Sequence, residues 1–179
     1  MLLFVTTRKT LNTQEQDNQW TEKVVQVRRV TKVVKGGKRL NFRVITIIGD
    51  GEGQVGIGVG KSKDVVGAIQ KGMTDARKNL IKVPIVNTTI PHPVTVRLGS
   101  AKVLVKPAKQ GTGVIAGGAV RIVLEAAGIR NATAKCLGSK SPLNNARATV
   151  EALRQLETVE AIAEARGIDV KEVMQGPAV

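Results

Sequence analysis

Two neighbouring stretches near the start of the chain are rich in the β-branched residues that are typical of β-strands. In the second stretch, the even-numbered positions from 40 to 48 hold Leu, Phe, Val, Thr and Ile, which share one face of a strand. Gly36 and Gly37 lie between two lysines where the stretches meet, and a Gly-Gly pair allows φ > 0 at both central positions of a tight turn. The pattern predicts a β-hairpin with strands at about 24–34 and 39–48.

A third strand and a helix are predicted next. The turn at 50–53 leads into a strand at about 54–60, where glycines at 56, 58 and 60 allow the strand to bend or to pack closely. Ser62 is a favourable N-cap for a helix, and apolar residues beyond it recur at steps of three and four, as on one helix face. Those residues are Val65, Val66, Ile69, Met73, Ala76 and Leu80. A three-stranded antiparallel sheet with one helix is therefore predicted for residues 20–83.

The rest of the chain predicts a second α+β unit over residues 84–167. It is expected to begin with an irregular linker or edge strand at 84–93, and its strands are predicted at about 94–98, 102–106 and 132–137.

Three helices are predicted in this second unit. The first covers about 118–127 and ends at Gly128, with Ile129 making the closing apolar contact. The loop 138–145 is expected to end in helix caps, a helix follows from Ala146, and a short one covers 159–166. Outside both units, residues 1–19 are predicted to be a flexible arm and 168–179 a C-terminal tail.

The charge of the chain indicates a polyanionic partner. The 179 residues carry 28 basic and 14 acidic side chains, a net charge of +14. Eight of the basic residues lie between Lys23 and Arg43, with no acidic residue among them. Such a density on a two-stranded ribbon repels itself, and a nucleic acid would relieve the repulsion. No apolar run approaches the roughly 18 residues of a membrane span, so no membrane partner is expected.

The residue types needed for catalysis and metal binding are scarce. Cys136 is the single cysteine and His92 the single histidine, and the latter is held between two prolines as a turn residue would be. With one histidine, no Ser-His-Asp or Cys-His set is present, and no metal-ligand cluster is apparent, so no cofactor is expected. The aromatic residues are Phe4, Trp20 and Phe42, too few for base stacking. The chain is therefore expected to recognise phosphates and the shape of folded RNA or of a duplex.

Two glycine motifs resemble nucleotide-binding signatures but lack their context. Residues 51–56 match G-x-G-x-x-G, yet they lead into a β-rich segment and not into a helix. Gly60, Lys61 and Ser62 resemble the end of a phosphate-binding loop, but the preceding glycine is one position out of place. What remains is that Lys61 and Lys63 flank a helix N-terminus, which attracts phosphate. Contact with an RNA backbone and plain solvation of these lysines are both compatible with the sequence.

Charge changes sign within the second unit. Residues 97–147 contain nine basic residues and one acidic residue, whereas residues 149–179 contain three basic and six acidic residues. A basic body with an acidic helical end suggests RNA on one side and a basic protein on the other. An ordinary solvated helix face explains the acidic end equally well.

Five ordered segments together resemble the family of bacterial-type small-subunit ribosomal protein five. They begin with VVQVRRVTKVVKGGK and include GDGEGQVGIGVGKSKDV, and they occupy residues 24–38, 49–65, 68–81, 107–129 and 137–153. The resemblance spans about 20–167, nearly the whole chain. Details such as GVIAGGAVRIVLE and PLNNARAT resemble the cyanobacterial and plastid branch of the family.

The resemblance implies an α+β fold in two parts. It implies an N-terminal double-stranded-RNA-binding-like domain and a C-terminal ribosomal-protein-five domain 2-like fold, a β-α-β unit with a left-handed crossover. It also implies a non-enzymatic role: binding of 16S-type rRNA near the decoding centre and head–body junction, beside ribosomal proteins four and eight, at the mRNA entry path. The family's hairpin loop, here 31–39, is implied to lie by the spectinomycin-binding region and to affect decoding accuracy. The implied location is the chloroplast stroma or, alternatively, the cyanobacterial cytoplasm.

Charge and resemblance together select the candidate site residues. The candidate RNA-binding residues are Arg28, Arg29, Lys32, Lys35, Gly36, Gly37, Lys38, Arg39, Arg43, Lys61, Lys63, Lys109, Arg121 and Lys140. The candidate protein contacts are Glu157, Glu160 and Glu164. Two alternatives are a free RNA chaperone and an RNA-modifying enzyme with a double-stranded-RNA module. The scarcity of catalytic groups argues against the enzyme.

Overall fold

The computed structural model describes residues 20–170 and Val173. The predicted arm at 1–19 lies outside the described residues, as does most of the predicted tail at 168–179.

The first sheet contains the predicted hairpin and third strand, all antiparallel. Its strands are β1 (Thr21–Val34), β2 (Gly37–Gly49), β3 (Gln54–Ser62) and β4 (Leu80–Lys82), in that order across the sheet. The sheet thus has four strands and not three. Leu80, predicted to end the helical stripe, instead pairs with Gly56 on the outer edge of β3, because the helix α1 (Val65–Lys78) ends two residues earlier.

The predicted start of α1 is wrong by two residues. Ser62 is not its N-cap, because it pairs with Phe42 in the sheet and is therefore held in an extended conformation. Asp64 is the N-cap, with ψ of 148°, and its side chain makes no capping hydrogen bond. Sheet pairing thus overrides a locally favourable capping residue.

Helix α1 lies on the sheet through small residues. A Cβ placed on Gly60 would lie 1.8 Å from the carbonyl oxygen of Ala68, and one on Gly58 would lie 2.0 Å from that of Gly72. Helix backbone and strand backbone are therefore in direct contact, as the glycine spacing allowed. The predicted apolar stripe is wrong near its start, since Val66 is 61% exposed whereas Ala68, which was not part of the stripe, is fully buried. Ala76 is fully buried, as predicted.

The second half is also α+β, with a mixed sheet of order β5-β6-β8-β7. Its strands are β5 (Val94–Leu98), β6 (Ala101–Pro107), β7 (Val114–Ile115) and β8 (Ala132–Cys136), and its helices are α2 (Gly118–Ala126), α3 (Pro142–Arg154) and α4 (Val159–Arg166). Strands β7 and β8 are parallel and are joined through α2, which is the expected β-α-β arrangement. The two-part α+β fold class is confirmed.

The helix ends in this half agree with local sequence signals in most places. Gly128 follows α2 with φ of +88°, and the amide of buried Ile129 donates to Leu124 O at 3.0 Å, as predicted. Helix α3 starts earlier than predicted, because Ser141 is its N-cap and Pro142 its first residue. Proline suits this position, where its missing N–H has no intrahelical partner anyway.

The two halves share one hydrophobic core and are joined by backbone hydrogen bonds. The amide of Gly51 donates to Ala126 O at 3.1 Å, and that of Gly53 donates to Ala127 O at 3.0 Å. Ile47 and Val55 of the first half belong to the same buried cluster as Leu124 of the second. No helix within the described part of the chain combines the length and apolar character needed to cross a membrane.

Candidate nucleic-acid interface

The strand register places three cations in a row across the first sheet. Arg28 on β1 pairs with Arg43 on β2, which pairs in turn with Lys61 on β3. Directly paired residues share a face, and their Cβ atoms lie about 4.5–5.5 Å apart. Lys32 pairs with Arg39 on the same face, four residues nearer the tip. We call these five residues the cation row.

Like charges that face each other across strands oppose pairing, so the fold itself gains nothing from this row. No carboxylate forms an ion pair with any member of the cation row among the described residues. The Nε atom of Arg43 is also buried without a hydrogen-bond partner in the described structure. The arrangement has the charge of a phosphate-binding surface.

The opposite face of the hairpin differs in character. Arg29 lies there beside its partner Phe42, and Lys38 lies there beside Val33. Val33 is 72% exposed and Leu40 is 50% exposed on this face. The predicted RNA-binding residues of the hairpin are therefore divided between a cationic face and a mixed, partly apolar face.

The turn at the hairpin tip differs from the Gly-Gly turn that the sequence suggests. Its two central residues are Lys35 and Gly36, because Gly37 already pairs with Val34 in the ladder. Gly36 has φ of +88° and Gly37 has φ of +154°. No described atom lies within 4 Å of the place where a Cβ on either glycine would sit. Lys35 and Lys38 are exposed on either side, so the tip is open to a partner.

Lys61 and Lys63 lie where β3 ends and α1 begins, and both are exposed. Because the Asp64 side chain caps no amide, the first amides of α1 lack a side-chain acceptor. An open groove of about 520 Å³ lies beside this end of β3, lined in part by Lys61, Lys71 and Lys78. The predicted phosphate contact at this helix start is sterically open, although Asp64 places one negative charge beside it.

The candidate cations of the second half lie on separate elements. Lys109 is exposed on the loop after β6, which buried Asn131 holds by accepting hydrogen bonds from the amides of Gly111 and Gly113 at 3.0 and 3.1 Å. Lys140 is exposed on the loop between β8 and α3. Neither belongs to the cation row.

Arg121 is already paired within the protein. Its Nε donates to Glu125 Oε1 at 2.7 Å, and Lys23 Nζ lies 2.9 Å from Glu125 Oε2. The hydrogen bonds from Arg121 and then Lys23 hold the pKa of Glu125 below its ordinary value. The Arg121 side chain is nevertheless 59% exposed, which leaves room for an RNA contact in addition to the ion pair. That contact stays a prediction.

The acidic candidates lie near the end of the described chain, where the backbone of Glu157 contacts His92. Glu160 and Glu164 are exposed one turn apart on α4, and Glu157 is exposed just before it. His92 is structural, as the sequence suggests: its Nε2 accepts from the Glu157 amide at 3.2 Å and its Nδ1 lies 3.2 Å from Pro93 O. Within the described residues no three His, Cys, Asp or Glu side chains form a group that could hold a metal ion.

One group of exposed cations lies outside the predicted site residues. Arg97, Lys102, Lys106 and Lys135 are exposed on β5, β6 and β8. In the sequence these cations alternate with residues that are buried in the structure, such as Val96, Val103 and Val105. This alternation predicts strands, and it also places the cations together on one face of the sheet.

Two family models cover most of the chain. The model for the N-terminal domain of ribosomal protein S5 matches residues 20–84, and the model for its C-terminal domain matches residues 96–166. The chain belongs to the ribosomal protein S5 family. The resemblance seen in the sequence is confirmed, and membership in this family identifies a structural ribosomal protein and not an enzyme.

Several curated relatives are cyanobacterial proteins named small ribosomal subunit protein uS5. The one from Synechococcus elongatus is 58% identical over 160 residues, 89% of each chain. That from Acaryochloris marina is 56% identical over 167 residues, 93% of this chain and 94% of its own. That from Gloeobacter violaceus is 58% identical over 158 residues, 88% of this chain and 71% of its own. The family identity therefore extends across both halves of the fold.

Proposed function

We propose that this protein is a structural constituent of the small ribosomal subunit and binds 16S-type rRNA through the cation row of its β1–β2 hairpin. The observation that carries the proposal is the register Arg28–Arg43–Lys61, which aligns three cations that have no anionic partner among the described residues. Family membership supplies the ribosomal context.

The mechanism is charge neutralisation by a preformed surface. Side chains that replace condensed counterions on phosphates release those ions, which favours binding and makes it dependent on salt. The sheet holds the cation row before RNA arrives, so little backbone ordering is needed. Scarcity of aromatic side chains leaves phosphate contact and shape as the means of recognition.

The hairpin reaches outward from a buried base. Val44 to Ile48 on β2 are fully buried, whereas residues 35–40 are all exposed. At about 3.3 Å per residue, the six steps along the strand from Arg43 to Gly37 span roughly 20 Å. We propose that this projecting tip lies near the decoding centre and head–body junction, beside the spectinomycin-binding region, where it affects decoding accuracy.

The remaining assignments rest on the family resemblance. We propose contacts with ribosomal proteins four and eight and a place at the mRNA entry path. Glu157, Glu160 and Glu164 are proposed to contact protein, because exposed carboxylates are repelled by phosphate. Relatives from cyanobacteria support a ribosome of a cyanobacterium or of a plastid, the chloroplast stroma being the proposed location in the second case.

The test reverses charge in the cation row. The variant Arg28→Glu/Arg43→Glu is compared with a control of equal net charge, Lys82→Glu/Arg147→Glu, whose two sites are exposed and lie outside the candidate set. Binding of rRNA is measured across a salt series, and incorporation into small subunits by density-gradient sedimentation. We expect the hairpin variant to bind more weakly, with a salt slope lower by about two, or about one for each phosphate that the variant no longer neutralises.

Equal affinities and salt slopes for the two variants would reject the cation row as the RNA-binding surface. Protein that binds RNA but sediments apart from small subunits would instead indicate the free RNA chaperone.

A further inference from the structure

We propose that the exposed face of the second sheet is a second RNA-binding surface, which contacts a different RNA segment from the hairpin. This surface, here called the open face, is defined by Arg97, Lys102, Lys106 and Lys135 together with Thr95 and Thr133. The inference rests on the proposed function, since it assumes an RNA partner.

Strand register brings these residues together. Arg97 on β5 pairs directly with Lys102 on β6. Lys106, four residues further along β6, pairs with Thr133 on β8, and Lys135 lies two residues beyond Thr133. Because side chains alternate along a strand, all of them point to the side opposite Val96, Val103 and Val105. Those valines are buried in the core on the side where α3 packs against β5 and β6.

The open face concentrates positive charge. With about 3.3 Å per residue along a strand and about 4.8 Å between strands, its four cations lie within roughly 15 Å of one another. Directly paired cations are closer than the screening length of about 8 Å at physiological salt, so salt does not remove their repulsion. No carboxylate of the described residues forms an ion pair with any of the four, so the repulsion is not relieved within the described structure.

The chemistry of the face favours phosphate over protein. The cores of protein interfaces are enriched in aromatic and apolar residues and depleted in lysine, whereas three of the four cations here are lysines. The hydroxyls of Thr95 and Thr133 add donors that suit phosphate and ribose oxygens. The strongly exposed apolar residues nearby, Ile115 and Leu137 at 57% and 53%, lie on the outer strand β7 and just beyond β8. At the centre of the face, Leu104 lies between Lys102 and Lys106 on β6 and pairs with Lys135. Leu104 is half-buried, so the centre of the face has one partly covered apolar side chain among four cations and not an exposed apolar anchor.

The open face and the cation row belong to different sheets. The cation row lies on β1, β2 and β3, whereas the open face lies on β5, β6 and β8. A single protein with two such surfaces can hold two RNA segments at a fixed separation, because the two halves share one core.

The test uses the full chain and three charge-reversal pairs. Lys102→Glu/Lys135→Glu alters the open face, Arg28→Glu/Arg43→Glu alters the cation row, and Lys82→Glu/Arg147→Glu is the control. The neutral pair Lys102→Gln/Lys135→Gln repeats the first change with less disturbance, and thermal unfolding verifies that each variant is folded. We expect the open-face reversal to lower the salt slope of rRNA binding by about two, at about one per neutralised phosphate, and the neutral pair to act in the same direction.

A second measurement identifies the occupant. A photoreactive residue replacing Lys102 in assembled small subunits is expected to cross-link to rRNA, at nucleotides different from those reached from position 39. Cross-linking from position 102 to a ribosomal protein alone would overturn the inference. So would open-face variants that match the control while the hairpin variant loses affinity, a result that leaves the proposed function intact. If neither reversal differs from the control, the proposed function fails as well.

Discussion

The two ends of the β1–β2 hairpin are built from the same strands but obey different constraints. At the base, the segment from Val44 to Ile48 is fully buried, and glycines of the neighbouring β3 are pressed against α1. At the tip, a Cβ placed on Gly36 or Gly37 would have no described atom within 4 Å. Glycine is needed for close approach at the base and for backbone conformation at the tip.

This difference separates stability from function. At the base, an added methyl group meets backbone atoms, which cannot move without shifting a helix. At the tip, side chains contact little of the protein, so residues there can be chosen for a partner. The cation row lies between the two, on strands that the base holds rigid.

The largest expected effect is at the base. Gly60→Ala places a Cβ 1.8 Å from Ala68 O and 2.5 Å from Gly72 N. We expect a loss of about 3 kcal/mol or more in the free energy of unfolding, at or beyond the upper end of typical overpacking costs. Chemical denaturation measures it. The matched control is Gly36→Ala, where the added Cβ meets no neighbouring atom and only the positive φ is unfavourable. It is expected to lower the free energy of unfolding by about 1 kcal/mol. Equal losses at both sites would show that α1 can shift away from β3.

A somewhat smaller effect is expected where the halves meet. A Cβ on Gly128 would lie 2.0 Å from Gly51 O, and this glycine also has φ of +88°. Gly128→Ala is expected to cost about 2–3 kcal/mol, from overpacking and backbone strain together. Denaturation followed by fluorescence of Trp20 and by circular dichroism measures the cost. Gly167→Ala, with φ of +65° and no described atom near its Cβ position, is the control for strain alone.

Changes at the tip should affect function more than stability. Gly37→Asp and Lys38→Glu are expected to alter misreading and spectinomycin sensitivity in assembled ribosomes, because they move or reverse charge on the projecting turn. The free energy of unfolding should fall by only about 1–2 kcal/mol for Gly37→Asp, where φ is unfavourable. Normal incorporation with unchanged accuracy and drug response would exclude a coupling between the tip and decoding.

The smallest expected effect is on how the free energy of unfolding depends on pH. It comes from the ion pairs of Glu125, which connect β1 to α2. The pKa of Glu125 is lowered by its hydrogen bonds from Arg121 and Lys23. A carboxyl group whose folded pKa is lowered stabilises the protein above its unfolded pKa of about 4.3, and this contribution is lost as the pH falls through the folded pKa. Glu125→Gln should therefore be less stable than the parent near neutral pH, by a small amount because the partners are exposed.

For the same reason the stability difference between parent and Glu125→Gln should shrink below about pH 4. Glu164→Gln, an exposed glutamate that forms no ion pair among the described residues, serves as the comparison. A difference independent of pH would mean that the ion pairs do not stabilise the fold.

Local sequence signals were sufficient for much of the fold. Two β-rich stretches predicted β1 and β2, the glycine-spaced segment after the turn at 50–53 predicted β3, and the helix α4 was predicted at its observed bounds. Gly128 and Ile129 were assigned correctly because a helix end is determined by a few adjacent residues. The candidate hairpin cations were found because they are clustered in sequence, although their roles remain to be tested.

The sequence by itself determined the hairpin strands, the third strand, the end of α2, the helix α4 and the positive charge, since each depends on residues close along the chain. Only the tertiary structure decided that Ser62 belongs to a strand, that Leu80 forms a fourth strand, and that Ala68 faces the sheet where Val66 does not. It also decided which cations meet: Arg28, Arg43 and Lys61 in one row, Arg97 and Lys102 on another sheet. Pairing joins residues separated along the chain, and the register that aligns them is set by packing of the whole sheet.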